Sequence, residues 1–153
     1  MPRVKHYFEA GQFAHITTRT EGAKFLLATD AAKAVILGSI HTYERKGFYR
    51  LLAYVIMDNH FHFVAVVRKS EGFGAAIGRL KGWTSSEIEK MTGAPKPIWE
   101  RRFDDNAILT EEELYAVVDY IHNNPVRAGI VKRAIDYPWS SARKWAEEGP
   151  PRL

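Results

Sequence analysis

Two apolar segments of strand length, with a short polar break between them, stand in the middle of the chain. Residues 48–57 read FYRLLAYVIM and residues 60–67 read HFHFVAVV, with Asp58 and Asn59 between them. Aspartate and asparagine favour tight turns, so the stretch predicts a β-hairpin. The strand predicted over residues 48–57 is apolar on both faces, which is typical of a strand with packing on both sides.

Strand-like and helix-like segments alternate around this hairpin. β-Branched and aromatic residues predict a first strand over residues 12–20, and apolar spacing predicts a helix over residues 29–46. After the hairpin, the same reasoning predicts a second helix over residues 74–91 and a fourth strand over residues 102–109. The predicted order up to this point is β-α-β-β-α-β.

A third helix follows, with clear signals at both ends. Thr110 and Glu113 form a capping box at its start, and Pro125 ends it because the residue before a proline is pushed out of the helical region. Its apolar stripe comprises Leu114, Val117, Val118 and Ile121. The whole order predicts an α+β fold, a ferredoxin-like antiparallel sheet with helices packed on it and an added C-terminal helix.

Composition narrows the class of protein and its chemistry. A chain of 153 residues fits a single domain over residues 1–153. The absence of cysteine excludes disulfides, cysteine zinc sites and a thiol nucleophile. No apolar run reaches the ~20 residues of a membrane span, and the N-terminus lacks the apolar core of a signal peptide. We therefore expect a soluble protein of the cytoplasm with no membrane partner.

The chain is basic, with a net charge of +4 and an isoelectric point near 9.3. Many of its lysines and arginines fall in close pairs. The pairs are Arg3 with Lys5, Arg68 with Lys69, Arg79 with Lys81, Arg101 with Arg102, Lys132 with Arg133, and Arg143 with Lys144. Such clusters favour a polyanionic partner, because basic residues that neutralise phosphates release counterions, and the alternative is a solvated surface.

Histidine is an unusual choice for the apolar strand HFHFVAVV. Residues i and i+2 of a strand share a face, so His60 and His62 point the same way and their imidazoles can converge on one ion. Two histidines do not complete a metal site, so at least one further ligand has to come from elsewhere in the chain. The alternative is a pair of core histidines bonded to backbone carbonyl groups.

The third helix offers partners for these histidines. Tyr120 and Asn124 are i and i+4 neighbours along one margin of the apolar stripe, whereas Tyr115 falls on the opposite margin. If the helix packs over the face that carries His60 and His62, Tyr120 and Asn124 reach the histidines and Tyr115 does not. The alternatives are a packing tyrosine at position 120 and a helix-end role for Asn124.

Four segments, taken in order, resemble a known family. They are YVIMDNHFHFVAVV (54–67), IWERRF (98–103), YIHNNPVRAGIV (120–131) and YPWSSARKW (137–145). The ordered set resembles the single-tyrosine HUH transposases of the IS200-like group, and within that group the REP-associated tyrosine transposases. The resemblance implies a ferredoxin-like nuclease domain that cuts single-stranded DNA next to hairpins, with one tyrosine and a divalent ion.

The resemblance also implies roles for individual residues. His60 and His62 match the metal-binding histidine–hydrophobe–histidine pair, Tyr120 matches the nucleophile, and Asn124 matches a third metal ligand. Two positions depart from the pattern. The family often has proline in place of Asp58, which leaves a carboxylate without an assigned role, and insertion-sequence relatives usually carry glutamine in place of Asn124.

The implied reaction is a transesterification. The Tyr120 oxygen attacks a DNA phosphorus and leaves a free 3′-hydroxyl and a 5′-phosphotyrosine, and the divalent ion, Mg²⁺ or Mn²⁺, polarises the phosphate. From ligand type alone, Zn²⁺ is the alternative ion. The expected partner is single-stranded or hairpin DNA, bound by a monomer or a homodimer. The candidate DNA contacts are His15, Arg19, Arg79, Lys81, Arg101, Arg102 and Arg127.

Two other functions stay open from the sequence. A metal-dependent phosphoesterase would use the same histidines with water as the nucleophile, and Tyr120→Phe would leave most of its activity intact. A non-catalytic or domesticated single-stranded nucleic-acid-binding domain would bind without metal and form no covalent product. Trp83, Trp99 and Phe103 are candidates for base stacking, with a place in the core as the alternative.

Overall fold

The computed structural model describes residues 8–153, so the basic residues Arg3 and Lys5 lie outside the described part of the chain. The strands are β1 (Phe13–Arg19), β2 (Tyr49–Ile56), β3 (His60–Val67) and β4 (Asp104–Ile108). The α-helices are α1 (Asp30–Arg45), α2 (Phe73–Thr92), α3 (Glu111–His122), α4 (Asn124–Arg127) and α5 (Ala142–Glu148). Within this described range, no helix is long and apolar enough to cross a membrane.

The strands form one sheet in the order β2-β3-β1-β4. Every neighbouring pair is antiparallel, and α1 and α2 are the two crossovers that join β1 to β2 and β3 to β4. This topology confirms the predicted ferredoxin-like α+β fold. The predicted strands and helices are all present, with ends that differ from the predicted ones by at most two residues.

The sheet separates two apolar cores. On one side, Phe61 and Phe63 of β3 pack with Ile36 of α1 and Leu80 of α2. On the other side, Val64 of β3 belongs to a second core. The α3 residues in that second core are Leu114, Val118 and Ile121. Because side chains alternate along a strand, α3 covers the face that carries the even-numbered residues of β3.

The C-terminal segment covers the outer edge of β2. The Ile56 N–H donates to the Trp139 carbonyl oxygen (2.8 Å), and the Ser141 N–H donates to the Tyr54 carbonyl oxygen (3.0 Å). Unpaired backbone groups at the edge of a sheet are a template for pairing with other chains. The segment YPWSSARKW therefore completes the sheet at this edge by supplying partners from the same chain.

Pro125 does not end α3 in the predicted way. The helix α3 ends earlier, at His122, Asn123 caps it, and a new helical turn, α4, begins at Asn124. Pro125 occupies the first turn of α4, where the missing backbone N–H removes no helical hydrogen bond. Asn124 thus belongs to α4 rather than to α3, which corrects the prediction of one helix running up to the proline.

Candidate active site

The strand β3 presents two histidines to the face of the sheet that α3 covers. His60 and His62 stand at its start, with ring centroids 5.1 Å apart and ring planes at 89° to each other. His62 is buried and His60 is half-buried. The alternation of side chains along a strand predicts this shared face, and the structure places both imidazoles on it.

Hydrogen bonds on both sides of His60 define which ring nitrogen carries the proton. The Asn124 Nδ2 donates to His60 Nε2 (3.1 Å), so Nε2 is the unprotonated nitrogen. The other ring nitrogen, Nδ1, donates to Asn59 Oδ1 (2.7 Å). Metal-ligating histidines in proteins commonly donate their second ring N–H to an oxygen in this way. The Nε2 lone pair of His60 is therefore directed toward Asn124.

His62 lies deeper and contacts strand β1. Its Nδ1 lies 3.0 Å from His15 Nε2 and 2.9 Å from Thr17 Oγ1. Burial, reinforced by the neighbouring histidines and arginines, lowers the pKa of His62 to about 3. Burial also lowers the pKa of His15 and of His60. All three rings are neutral at neutral pH, and the neutral ring is the form that ligates a metal.

Tyr120 extends from α3 over the same face. Its ring centroid lies 6.5 Å from that of His62, and the residue is 56% exposed. The guanidinium carbon of Arg127 lies 4.0 Å from the Tyr120 ring centroid, and Arg127 Nη2 donates to the Tyr120 carbonyl oxygen (2.7 Å). The tyrosine is thus held by an arginine of α4 and still open to a substrate.

Tyr115 faces a different part of the molecule. Its ring packs edge-on against Trp145 of α5, with centroids 6.2 Å apart. The His122 ring packs against the same tryptophan, with ring centroids 5.7 Å apart, and His122 Nε2 lies 2.7 Å from Ser141 Oγ. The two tyrosines of α3 therefore occupy different margins of the helix, and Tyr120 is the one beside the paired histidines.

Few protein side chains at this site are candidates to ligate a metal ion. In the part of the chain that the structure describes, no group of three or more His, Cys, Asp or Glu side chains could hold a metal. The candidate ligands are Nε2 of His60, Nε2 of His62 and the side-chain amide of Asn124. A half-turn of that amide would present its oxygen where its nitrogen now meets His60. Two imidazoles and one amide oxygen, with water at the remaining positions, fit a divalent metal ion.

Three of the seven predicted DNA contacts lie at this site. His15 contacts His62, and Arg127 contacts Tyr120. Arg19 is paired with His60 across the β1–β3 register and forms an exposed ion pair with Asp104 (2.6 Å).

The other four predicted contacts lie apart from the histidines, on α2 and on the segment that precedes β4. They are Arg79, Lys81, Arg101 and Arg102. Lys81 donates to the Glu100 carbonyl oxygen (2.7 Å), which ties this segment to α2. Of the candidate stacking residues, Trp83 is 58% exposed, whereas Trp99 is 5% exposed and belongs to the core.

Asp58 has a structural partner. Its Oδ1 accepts a hydrogen bond from Lys33 Nζ (2.7 Å), and the same ammonium donates to the Leu27 carbonyl oxygen (2.7 Å). The Lys33 side chain is only 4% exposed. The carboxylate therefore compensates a buried positive charge and fixes the hairpin turn against α1, a contact that sequence spacing alone does not reveal.

Asn59 and Thr17 contact the paired histidines, and sequence reasoning did not select either of them. Asn59 was expected only as a turn residue, and Thr17 only as part of a strand. Thr17 is paired directly with His62 in the β1–β3 register. That pairing is the signal that could have found it, once β1 and β3 are placed side by side in a ferredoxin-like sheet.

A ferredoxin-like sheet with paired histidines on a central strand, below a tyrosine on a covering helix, defines the class of single-tyrosine HUH transposases. More specifically, the chain belongs to the IS200-like transposase family, whose sequence model, "Transposase IS200 like", matches residues 11–124. This is a family of DNA-processing enzymes that generally depend on a metal ion. The matched region ends at Asn124, the last of the candidate ligands.

Curated relatives point to the same family. A REP-associated tyrosine transposase of Escherichia coli (strain K12) is 24% identical over 150 residues, which is 97% of this chain and 87% of that protein. A putative REP-associated tyrosine transposase of Haemophilus influenzae (strain Rd) is 26% identical over 103 residues, which is 61% of this chain and 58% of that protein.

Solved structures share the fold. A REP-associated tyrosine transposase bound to a REP hairpin matches with a TM-score of 0.79 and 23% identity, covering 99% of this chain and 89% of that one. A putative transposase from Deinococcus radiodurans R1 matches with a TM-score of 0.54 and 15% identity, covering 80% of this chain and 97% of that one. At these identities the likeness establishes the fold.

Proposed function

We propose that this protein is a metal-dependent single-stranded DNA endonuclease and transposase, which cleaves and rejoins DNA beside hairpins through a covalent 5′-phosphotyrosine intermediate. Tyr120 is the nucleophile, and His60, His62 and Asn124 hold the divalent ion. Residues 1–153 act as one nuclease domain in the cytoplasm, as a monomer or a homodimer. The metal is Mg²⁺ or Mn²⁺.

The observation that carries this proposal is the position of an exposed tyrosine over two neutral histidines. Tyr120 is 56% exposed beside His62, whereas tyrosines that serve the fold, such as Tyr49 at 1% and Tyr137 at 6%, are buried. A half-open tyrosine contributes little to a core, so burial does not explain its place. Attack on a substrate that enters from the open side does explain it.

The side chains at the site supply the nucleophile, the candidate metal ligands and a positive charge. The Tyr120 oxygen forms a bond to the DNA phosphorus as the bond from phosphorus to the 3′ oxygen breaks; the phenol gives up its proton, and the leaving oxygen takes one. A bound divalent ion would polarise the scissile phosphate and stabilise charge on the leaving oxygen. Arg127, against the tyrosine ring, orients it and adds positive charge next to the phosphate.

The phosphotyrosine conserves the energy of the broken phosphodiester bond. Attack by another DNA 3′-hydroxyl on the same phosphorus reverses the step, frees Tyr120 and joins the strands without a nucleoside triphosphate. Rejoining therefore needs only that a second 3′ end reaches the site. The same residues serve both directions, because the forward and reverse steps pass through one transition state.

Hairpin DNA is the substrate class that the comparisons favour. A structural neighbour of the same fold is bound to a REP hairpin. This chain carries a net charge of +4, with exposed Arg79, Arg101 and Arg102 outside the histidine site. We assign binding of the hairpin to such distributed phosphate contacts and cleavage to the ion at the histidines.

The test compares cleavage with binding on a labelled single-stranded hairpin. His60→Ala and His62→Ala should reduce Mn²⁺-dependent cleavage by about a hundredfold or more and leave hairpin affinity within about threefold of wild type. Removal of the ion with a chelator should have the same effect on the wild-type protein. Cleavage that survives both substitutions would refute the proposed metal site, and affinity that falls together with cleavage would indicate a structural role for the histidines.

A further inference from the structure

The proposed metal site requires one particular tautomer of His62. A neutral imidazole has one protonated and one unprotonated ring nitrogen, and only the unprotonated one can bind a metal. The Nδ1 of His62 is directed to strand β1, where it meets His15 and Thr17. Nε2 is therefore the nitrogen left for an ion, and the proton has to stay on Nδ1.

Strand β1 places three polar atoms close together at this point. His62 Nδ1 lies 3.0 Å from His15 Nε2 and 2.9 Å from Thr17 Oγ1, and Thr17 Oγ1 lies 3.4 Å from His15 Nε2. Thr17 is 3% exposed and His62 is 7% exposed, so water competes little for these groups. The strand register pairs Thr17 directly with His62, which fixes the arrangement through the backbone.

Two arrangements of the protons satisfy these three atoms. In one, His62 Nδ1–H donates to Thr17 Oγ1 or His15 Nε2, and the Thr17 hydroxyl donates to His15 Nε2; in the reverse one, His15 Nε2–H donates to Thr17 Oγ1 or His62 Nδ1, and the Thr17 hydroxyl donates to His62 Nδ1. Only the first arrangement leaves Nε2 of His62 with a lone pair for an ion, and in it His15 and Thr17 supply the acceptors that the Nδ1 proton needs.

We infer that His15 and Thr17 are positioning residues that hold His62 in the Nδ1–H tautomer, so that its Nε2 lone pair is available to a divalent ion. The inference rests on the proposed role of His62 as a metal ligand. It gives His15 a place in the metal site rather than in DNA contact. Asn59 does for His60 what His15 and Thr17 do for His62, since it accepts the Nδ1–H of that ring at 2.7 Å.

The tautomer can be measured in the metal-free protein. Long-range proton–nitrogen NMR spectra of 15N-labelled wild type at neutral pH should show His62 with a protonated Nδ1 and an unprotonated Nε2. A matched pair of double variants tests the cause. His15→Phe/Thr17→Val keeps a planar ring and a β-branched side chain and removes both acceptors, whereas His15→Gln/Thr17→Ser keeps an acceptor at each position.

The His15→Phe/Thr17→Val protein should lose the Nδ1–H signature of His62 and bind Mn²⁺ about tenfold more weakly, as measured by the electron paramagnetic resonance signal of free Mn²⁺. The His15→Gln/Thr17→Ser protein should keep the signature and bind Mn²⁺ within about threefold of wild type. Thermal melts monitored by circular dichroism show whether each variant is folded, and the wild-type tautomer is informative even if a variant is not.

An Nε2–H tautomer of His62 in the wild-type protein would overturn the inference. So would wild-type affinity for Mn²⁺ in a folded His15→Phe/Thr17→Val protein. Failure of the proposed function gives a different result, because His62→Ala would then leave Mn²⁺ binding unchanged.

Discussion

Arg127 of α4 contacts Tyr120 of α3 in two ways. Its guanidinium lies over the tyrosine ring, and the same side chain donates to the Tyr120 carbonyl oxygen. Residues seven positions apart are about two helical turns apart and lie on nearly the same side of a helix. The long side chain of Arg127, in the short helix that follows α3, therefore reaches back to the ring and the carbonyl oxygen of Tyr120.

Replacement of Arg127 with glutamine should therefore reduce strand cleavage more than hairpin binding. A cation over an aromatic ring contributes about 0.5–2 kcal/mol, so we expect cleavage to fall about tenfold while affinity changes by less than about threefold. Arg133→Gln is the matched control, because Arg133 is exposed and pairs with Asp136. Single-turnover cleavage and equilibrium binding on one hairpin measure both quantities. Equal losses in the two variants would contradict the orienting role.

The residue types at the site were predictable, and their neighbours were not. The HFH pattern in an apolar strand and the margin that Tyr120 shares with Asn124 follow from local periodicity. The contacts of His62 with His15, and of Asp58 with Lys33, join residues distant in sequence. These contacts depend on which strands and helices become neighbours in the fold, so the local spacing of residues does not predict them.

At the scale of elements, the two ion pairs near the hairpin differ in burial. Asp58 compensates Lys33, whose side chain is 4% exposed, and so joins the β2–β3 turn to α1. Asp104 pairs with Arg19 between β4 and β1, with both side chains about half exposed, at 56% and 46%. Desolvation makes an uncompensated buried charge costly, whereas an exposed pair contributes little.

These two pairs predict unequal losses of stability. Asp58→Ala should lower the free energy of unfolding by about 2–3 kcal/mol, because it leaves the buried ammonium of Lys33 without a counter-charge. Asp104→Ala should lower it by less than about 1 kcal/mol. Urea unfolding followed by circular dichroism gives both values. A loss from Asp104→Ala as large as that from Asp58→Ala would show that burial does not govern these pairs.

The helix α3 joins the C-terminal cover of the sheet through His122. Its Nε2 lies 2.7 Å from Ser141 Oγ, and burial lowers the pKa of His122 to about 4. In the unfolded chain a histidine has a pKa of ~6.5. Between these two values the unfolded state binds a proton that the folded state does not, so stability is present above pH ~6.5 and is lost as the pH falls toward 4.

The variant His122→Gln should show a shallower decline of stability with acid. One such histidine contributes up to about 1.4 kcal/mol per pH unit to the slope of the free energy of unfolding. We expect the slope between pH 6 and pH 4.5 to fall by about that amount in the variant, measured by urea unfolding at each pH. An unchanged slope would mean that His122 is charged in the folded protein.

Elements with their own periodicity were predictable from the sequence, and elements that depend on distant partners were not. The hairpin and the two crossover helices follow local patterns, and Thr110 caps α3 by accepting the Glu113 N–H. The C-terminal segment YPWSSARKW has no such pattern. Its conformation depends on β2, where the Tyr137 hydroxyl donates to the Ile56 carbonyl oxygen and the Trp145 Nε1–H donates to the Leu52 carbonyl oxygen.

For the molecule as a whole, one face of the sheet carries the larger core and the other face carries the candidate active site. The face covered by α1 and α2 holds the larger apolar core, in which Phe61, Phe63 and Trp99 are buried. The face covered by α3 combines a smaller core with the histidines of β3 and the half-open Tyr120. On this face His62 is buried, His60 is half-buried and Tyr120 is half-exposed, so the solvent-facing part of the site lies at Tyr120 and His60.

The central claim is that Tyr120 attacks DNA, and covalent trapping tests it most directly. Wild type, Tyr120→Phe and Tyr115→Phe are incubated with labelled single-stranded hairpin DNA and Mn²⁺, and the products are separated on denaturing gels. Tyr115→Phe is the matched control, since Tyr115 lies on the same helix but packs against Trp145. Each substitution keeps the ring and removes only the hydroxyl, so both variants should fold. Wild type and Tyr115→Phe should carry covalently attached label, and Tyr120→Phe should carry none. Label on Tyr120→Phe, or cleavage by wild type without any covalent product, would contradict the account.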